Sequence, residues 1–480
     1  MYKVVIGLEV HCELETNSKN FSSAPNAFCM NPNTHVAPVD LGLPGILPVV
    51  NEEAVRKALK TAMALHCEQP DEVLFDRKNY FYPDLPKGYQ ITQVTKPMGR
   101  NGYLDILVGD KKKRVYIHQL HLEEDTASLD HYDHYSLIDY NRSGVPLMEI
   151  VTEPCLSSSE EAVRFLEDLR DVFLFCEVSE AKSNKGQMRC DVNISLMEEG
   201  ASEIGTKVEM KNINAFNSVE AAINYEIKRQ TELLSKGEKV KQETRRIDED
   251  GKTYSMREKV DAVDYKYFVE PNLAPVILTE EYLDSIRKTV PMLKLERFYH
   301  YMNDYQIGEY DANVLSKNKA IADYFEEVLS YGSDVNLTVN FVTSSVLSSL
   351  KKLEITLDEF FITPKMLSGV IDYVHQGKIS LDHGKKILYQ AIEKQKDPIL
   401  IIEEAHLEQI NDDSVLEEYI EQVLQENQEQ VRQYVFEDKD YVVNFFMGKV
   451  MQKSNRQANP NRTLELIKER LRKEKENAKK

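Results

Sequence analysis

A chain of 480 residues is too long for one core and points to roughly three domains of about 150 residues each; 42% hydrophobic and 29% charged residues suit packed soluble domains, and no apolar run reaches the roughly 20 residues that span a bilayer. The net charge of −20 argues against broad nonspecific nucleic-acid binding and leaves room for a local basic patch. Six scattered cysteines (Cys12, Cys29, Cys67, Cys155, Cys176, Cys190) with no C-x-x-C pair indicate neither a disulfide framework nor a zinc knuckle, and the opening "MYKVVIGLEV" has no signal-peptide layout, which implies a cytoplasmic protein.

From Val4 to Phe21, "VVIGLEVHCELETNSKNF" alternates Glu9, His11, Glu13 and Glu15 with Ile6, Leu8, Val10, Cys12 and Leu14. Side chains of a strand alternate between faces, so this predicts a half-buried strand with an acidic row on its open side. A helix "EEAVRKALKTAMAL" follows, capped by Asn51. Between Phe75 and Gln93, Arg77, Lys78 and Lys87 interleave with Tyr80, Phe81, Tyr82 and Tyr89. That is either a stacking platform for an unpaired nucleotide end or a tyrosine-rich loop packed on the sheet. "IHQLHLEED" sets His121 and Glu123 on one parity, and Leu120, Leu122 and Glu124 on the other.

A second helix follows the serine run of "CLSSSEEAVRFLEDLRDVFLF", with Val163, Leu166, Leu169 and Phe173 apolar. "MRCDVNISL" puts Arg189, Asp191, Asn193 and Ser195 opposite Met188, Cys190, Val192, Ile194 and Leu196; "KVEMK" puts Lys207, Glu209 and Lys211 around Val208 and Met210. The third helix is expected from Ser218 to Gly237, where glycine can take the left-handed closing conformation. "QETRRIDEDGKTYSMREK" (Gln242 to Lys259) predicts a charged hairpin about Asp250 and Gly251, equally able to be plain surface.

Helices inserted in a mainly antiparallel sheet make the first domain, 1–290, α+β. Beyond Val290 the text turns helical, giving an all-helical domain over 291–405 and, from about His406, a helical C-terminal tail domain over 406–480. From Gln452 to Lys480, ten lysines and arginines stand against four glutamates, a net +6. In that stretch Leu464, Ile467 and Leu471 share one helical face, and Lys and Arg fill the rest.

The four wet strand faces can line a common pit with Glu9, His11, Glu123, Asp191 and Glu209. Carboxylates with a histidine or asparagine suit a hard divalent ion that bridges to phosphate, so Mg²⁺ with ATP is the indicated tenant. The competing reading is that antiparallel sheets commonly keep one solvated face. Common phosphate signatures are missing: "GASEIGTK" (Gly200 to Lys207) places Thr206 before Lys207, the reverse of a P-loop. No thiol is an evident nucleophile beside so many acids.

The segments "IGLEVHCELETNSKNF", "LGLPGILPVVN", "FDRKNYFYPDLPKGYQITQ", "HLEED", "DYNRSGVPLMEIV", "MRCDVNISL", "GTKVEMKNINAF", "QETRR" and "VDYKYFVEPNLAP" together resemble the GatB family, the B subunit of the aspartyl/glutamyl-tRNA(Asn/Gln) amidotransferase. "GEYDANVL", "VHQGKIS" and "FFMGKVMQKSNRQANPN" extend the likeness through nearly the whole chain. The resemblance implies a cradle domain, a helical domain and a tRNA-reading tail, in a heterotrimer completed by an amidase and a small third chain. It also implies a carbon–nitrogen ligase that uses ATP and Mg²⁺ to phosphorylate the side-chain carboxylate of Glu-tRNA(Gln) or Asp-tRNA(Asn) and amidates it with ammonia from glutamine. By this likeness Glu9, His11, Glu123, Glu124, Asp191, Glu209 and Lys211 are catalytic, with Glu9, His11 and Glu124 on the metal. Lys78, Tyr80, Tyr82, Arg142 and Arg189 hold substrate or phosphate, and Arg462, Lys468, Arg470, Arg472 and Lys473 bind tRNA.

Some positions depart from the family's usual wording. Ser22, Ala24, Ala37 and Asp40 stand where many members have four zinc-binding cysteines, so no zinc is expected. Ser128 replaces a lysine, Asn184 and Lys185 replace two glutamates, Val145 a threonine and Ala215 a serine. The changes at Ser128, Asn184 and Lys185 motivate one alternative, a specialised paralogue amidating another tRNA- or peptide-borne carboxylate; the non-enzyme alternative is a non-catalytic tRNA-binding scaffold.

Overall fold

A computed structural model describes the chain except residues 1, 202, 249, 259–263, 405–409, 411, 438, 455–456 and 479–480. The chain forms two compact units, Met1–Leu295 and Glu296–Lys480. The expected boundary at His406 falls outside the described residues, as do Arg456, Lys479 and Lys480 of the basic tail. Among the described residues no helix is long and apolar enough to cross a membrane.

The first unit is α+β. Its strands are β1 (Tyr2–Glu13), β2 (Glu72–Val73), β3 (Asp76–Asn79), β4 (Tyr89–Thr92), β5 (Gly99–Val108), β6 (Lys111–Glu124), β7 (Ser128–His131), β8 (Ser136–Asp139), β9 (Pro146–Thr152), β10 (Met188–Glu198), β11 (Val208–Ile213), β12 (Glu243–Ile247), β13 (Thr253–Glu258), β14 (Phe268–Val269) and β15 (Val276–Ile277). Eight of them form one sheet in the order β13-β12-β11-β10-β1-β9-β6-β5, antiparallel throughout except for the parallel β11–β12 pair. The strand of the opening stretch ends at Glu13, while the alternation goes on with Leu14 buried and Glu15 exposed.

The oily parity of these strands, Ile6, Leu8, Val10 and Cys12 on β1 with Met148 and Ile150 on β9, is buried in one core. Helices α1 (Glu52–Ala64), α2 (Ser159–Phe175) and α3 (Phe216–Ser235) close that face, α1 and α2 on the β5–β6 side and α3 on β10. Burying that face fixes the register of each strand, because a slip by one residue would exchange its wet and dry sides. A further helix, α4 (Glu280–Arg287), packs on α1.

The expected caps are present where a side chain can supply one: Asn51 accepts from the Ala54 N–H, and Ser158 from the Glu161 N–H. Helix α3 begins at Phe216, two residues earlier than expected, on an N-cap, Ala215, that offers no side-chain acceptor. Gly237 closes the chain after α3 at φ +75°, donating its N–H to Leu234 O.

The second unit is helical: α5 (Lys294–Asn303), α6 (Glu309–Ser316), α7 (Lys319–Ser330), α8 (Val335–Asn340), α9 (Leu347–Leu353), α10 (Pro364–His375), α11 (Leu381–Lys394), α12 (Pro398–Glu404), α13 (Asp413–Glu426), α14 (Gln428–Glu437), α15 (Val442–Lys453) and α16 (Pro460–Asn477). A π-helical turn, Phe341–Val346, joins α8 to α9. Two hydrophobic clusters lie in this unit, one around Tyr301, Phe325 and Phe341, the other around Leu416, Phe446, Ile467 and Leu471.

Ala215 leaves the first N–H groups of a 20-residue helix without a side-chain partner. Ala215→Ser should therefore stabilise the first unit by about 1 kcal/mol, measured as a raised denaturant midpoint. An unchanged or lowered midpoint would contradict this account of the cap.

Candidate active site

The wet parity of β1, β6, β9 and β10 assembles in register. His11 lies opposite Arg189 on β10 and opposite Glu149 on β9, and Glu149 lies opposite His121 on β6. One row across four strands is therefore Arg189, His11, Glu149, His121. The next contains Asp191 opposite Glu9, and beyond it Asn193 stands opposite Glu209 on β11.

Two groups of metal-type ligands result, each with its donor atoms within 4.8 Å of one another: His11 with Glu123 and Glu149, and Glu9 with Asp191 and Glu209. In the first, Glu149 Oε2 is 3.4 Å from His11 Nε2 and 3.2 Å from His121 Nε2, and Glu123 lies 3.9 Å and 3.7 Å from the same two rings. Thr92 Oγ1 donates to Glu123 at 3.2 Å. Burial alone would lower both imidazoles, but Glu149 and Glu123 outweigh it and raise His11 to about 9 and His121 to about 10. Burial works the other way on Glu149, yet the two imidazoles hold it well below the usual carboxylate range.

In the second group, Asn193 Nδ2 donates to Glu9 Oε1 at 2.8 Å and leaves its own Oδ1 buried without a partner. Lys211 Nζ reaches Asp191 at 3.1 Å and Glu209 at 3.2 Å. Burial, together with the nearby Glu149, Asp191 and Glu209, raises Glu9. Oxygen donors alone, an unsatisfied amide oxygen and crowded negative charge suit a hard cation such as Mg²⁺. The mixed nitrogen–oxygen set around His11 is less selective.

Of the predicted residues, the fold gathers Glu9, His11, Glu123, Asp191, Glu209 and Lys211. Glu124 is a correction to the metal set: strand parity turns it from His11, and its carboxylate accepts from Lys87 Nζ at 2.6 Å and from the Ile91 N–H at 2.9 Å. Burial works to lower the Lys78 ammonium, but Glu123, Tyr267, Glu149 and Tyr265 outweigh it and raise it, and it lies 5.1 Å over the Tyr265 ring. Tyr80 and Tyr267 each lie 6.0 Å from Tyr265, so three tyrosines stand beside that lysine. Asn79 fixes this wall by donating its N–H to Tyr265 O and its side-chain amide to Lys266 O.

Arg189 pairs with Asp125 at 2.7 Å at the edge of the pit. Arg142 donates to the main-chain oxygens of Thr126 and Ala127, so it braces the turn after β6. Tyr82 is exposed. In the tail, Arg462 is held by Asp413 and Arg470 by Glu421, both on α13, whereas Lys468, Arg472 and Lys473 are exposed.

Glu149 escapes the reading of the sequence, although a lone acid among the apolar residues of "PLMEIV" is an available signal. His121 stands on the predicted parity, but the pattern alone does not bring it into the site. For "QETRR", which the sequence left open between plain surface and a role, the structure decides against plain surface at Glu243, Thr244 and Arg245, which are buried. Thr244 Oγ1 donates to Glu209 Oε2 at 3.0 Å, and Arg245 pairs with Glu243 and with the fully buried Glu226 of α3.

Comparison with known proteins gives a consistent picture along the chain. The GatB/GatE catalytic domain family matches residues 4–284, and the GatB domain family matches residues 323–471. The B subunit of the aspartyl/glutamyl-tRNA(Asn/Gln) amidotransferase of Oceanobacillus iheyensis is 44% identical over 472 residues, covering 98% of this chain and 99% of that protein. The protein of the same description from Geobacillus kaustophilus is 44% identical over 461 residues (96% and 97%), and that from Persephonella marina 43% over 472 (98% and 99%).

The two imidazoles also set a pH response in metal-free protein. A histidine of the unfolded chain titrates near about 6.5, so the pairing with Glu149 and Glu123 stabilises fully below that value. It is lost as pH rises through about 9 for His11 and about 10 for His121. In chelator, the urea midpoint should fall between pH 7 and pH 10, and His121→Gln should flatten that fall; an equal fall in the variant would contradict the pairing.

Proposed function

We infer the work of the pit from the premise that this chain belongs to the GatB/GatE family, whose full-length relatives are B subunits of aspartyl/glutamyl-tRNA(Asn/Gln) amidotransferases. It is one component of a tRNA-dependent amidotransferase, a glutamine-dependent ligase of several chains. The family match runs through both units, which favours this reading over a repurposed paralogue or a scaffold.

The observation that carries the catalytic proposal is the paired ligand set, one group of oxygens and one of mixed donors, on adjoining strands of a single face. A carboxylate is a poor acyl donor because its oxygen leaves badly. Here the side-chain carboxylate of the tRNA-borne Asp or Glu takes the terminal phosphoryl group of ATP and ADP departs. Ammonia from glutamine then adds to the acyl carbon, and inorganic phosphate leaves with the C–O bond electrons.

A divalent cation, when bound, supplies charge neutralisation for phosphoryl transfer. Glu9, Asp191 and Glu209, with the amide oxygen of Asn193, would hold a hard ion; His11, Glu123 and Glu149 would hold a second. Lys78 and Lys211 meet phosphate charge. The tyrosines at 80, 265 and 267 offer a base-stacking wall, and Arg189 guides the substrate at the edge. Zinc has no place in this scheme: Ser22, Ala24 and Ala37 offer one hydroxyl and two methyl groups, and Asp40 is tied to Lys19.

In the assembled enzyme, His11→Ala and Glu149→Ala should each lower ATP-dependent amidation by at least about 100-fold, since even outer partners of a metal ligand are worth 10–100-fold. Glutamine hydrolysis by the partner amidase should stay at its basal level. Normal amidation by either variant would remove the site from this face.

The tail is proposed to bind tRNA through its exposed cations. Replacing Lys468, Arg472 and Lys473 together by alanine leaves the buried side of α16, Ile467 and Leu471, in place. The expected result is weaker tRNA binding, with a salt slope reduced by about one for each phosphate no longer neutralised. An unchanged slope and affinity would show that the tail only solubilises.

A further inference from the structure

We propose that Thr244 is a positioning residue for the oxygen-donor group: its hydroxyl sets the Glu209 carboxylate, and ion pairs buried behind it hold its strand at the distance that this bond requires. The proposal rests on the reading of Glu9, Asp191 and Glu209 as holders of a hard divalent ion.

Glu209 stands on β11 and Thr244 on β12, side by side in the parallel pair of the large sheet. Thr244 Oγ1 donates to Glu209 Oε2 at 3.0 Å, and both residues are buried. The other oxygen of the same carboxylate, Oε1, lies 3.2 Å from Lys211 Nζ. A carboxylate held at one oxygen can still swing about its last bond; held at both, it presents its remaining lone pairs in fixed directions. Lys211 divides its charge, since it also reaches Asp191 at 3.1 Å, so the hydroxyl is the more selective of the two restraints. A β-branched side chain suits that work because its χ1 angle is stiff. The mixed group carries the same device, for Thr92 Oγ1 donates to Glu123 Oε2 at 3.2 Å.

β12 carries the means of keeping the hydroxyl in place. Strand parity turns Glu243 and Arg245 away from Thr244, toward the dry side and α3, where charge is costly. There Arg245 pairs with Glu243 at 2.7 Å and with the fully buried Glu226 at 3.0 Å, and Arg229 lies 2.9 Å from Glu226 and 3.4 Å from Glu243. Two carboxylates and two guanidinium groups balance. Apolar side chains would cover this side of the strand with no charge to desolvate.

What the ion pairs add is direction. Arg245 also donates to Thr253 Oγ1 at 2.8 Å and to Thr253 O at 2.6 Å on β13, so one side chain ties β12 to the strand beyond it and to the helix beneath it. The register of β12 on β13 shifts between Thr244 and Arg245. A shift of this kind bends the pairing locally and re-aims a side chain, and here it falls at the residue that meets the site.

The test uses the full chain in its assembled enzyme, with Mn²⁺ as a paramagnetic stand-in for Mg²⁺, since carboxylate oxygen suits both. Free Mn²⁺ is read by its resonance signal, and Glu209→Ala identifies which class of bound ion belongs to the oxygen-donor group. Thr244→Val removes the hydroxyl and keeps the branched shape; Thr244→Ser keeps the hydroxyl and loses a methyl group. Amidation of mischarged tRNA is followed against Mg²⁺ concentration, and unfolding of the chain checks the fold.

Thr244→Val should weaken Mn²⁺ in that class by about 10–100-fold, the usual loss for an outer partner of a metal ligand, and raise the Mg²⁺ needed for half-maximal amidation to the same degree. Thr244→Ser should stay within about threefold of wild type on both measures, because it keeps the donor. A Val variant with unaltered Mn²⁺ affinity would overturn the assignment. So would a Ser variant as weak as Val, which makes packing of the methyl group the cause, or a loss spread over every class of bound Mn²⁺ with a lowered unfolding midpoint, which is a failure of the fold. If wild type binds Mn²⁺ no more tightly than Glu209→Ala does, the metal reading of the oxygen-donor group fails first, and Thr244 has no ion to position.

Discussion

Glu149 lies between two imidazoles, 3.4 Å from His11 and 3.2 Å from His121, and this triangle exists because β9 runs between β1 and β6. The arrangement follows from one constraint. Each strand has a dry side that the helical layer must cover, so the other side of every strand faces the same way. Glu9, Glu123, Glu149, Asp191 and Glu209 are thereby forced together. Their repulsion is met by His11 and His121 on one side and by Lys211 on the other, while burial first, and then Glu149, Asp191 and Glu209, raise Glu9. Carboxylates crowded on one face beside a lysine and two imidazoles are suited to a divalent ion and to phosphate.

Much of this face was legible because alternation carries both facts at once, which residues are buried and which stand together. β1, β6 and β10 could be read that way, and their wet residues met as expected. Glu149 escaped because "PLMEIV" is a central strand flanked on both sides, so apolar Leu147 and Val151 share the wet parity and conceal its period. Glu124 shows the opposite failure. Parity placed it with Leu122, and only the family likeness put it on the metal; its pairing with Lys87 follows the parity. "QETRR" stayed open between surface and a role because charge is normally solvated, and composition cannot tell an exposed arginine from one paired with a buried Glu226.

The helical unit was legible for a different reason. Apolar spacing of three and four residues survives local variation, and α16 presents Leu464, Ile467 and Leu471 to its cluster as that spacing requires. Ion pairing between helices is invisible to such a pattern. Arg462 and Arg470 are satisfied by Asp413 and Glu421 across α13, which leaves the electrostatic work of the tail to cations that point elsewhere. The acidic block before the tail therefore does more than solvate a helix: it selects which positive charges remain available.

The loop between β1 and α1 is tied from within by a buried ion pair, Lys19 with Asp40. A four-cysteine zinc cage fixes a loop by coordination and is dismantled by chelators. At the corresponding positions Ser22 and the Ala37 N–H both donate to Asp40, the Ala24 N–H lies 3.4 Å from Ser22 Oγ, and Lys19 supplies the cation from beneath. The buried lysine bears a desolvation cost that only the completed pair with Asp40 offsets. Removing either Lys19 or Asp40 alone strands a buried charge. Asp40 belongs to a loop whose Phe28, Met30, Leu47 and Val49 face outward, so the pair with Lys19 holds in place a segment that its own apolar side chains do not bury.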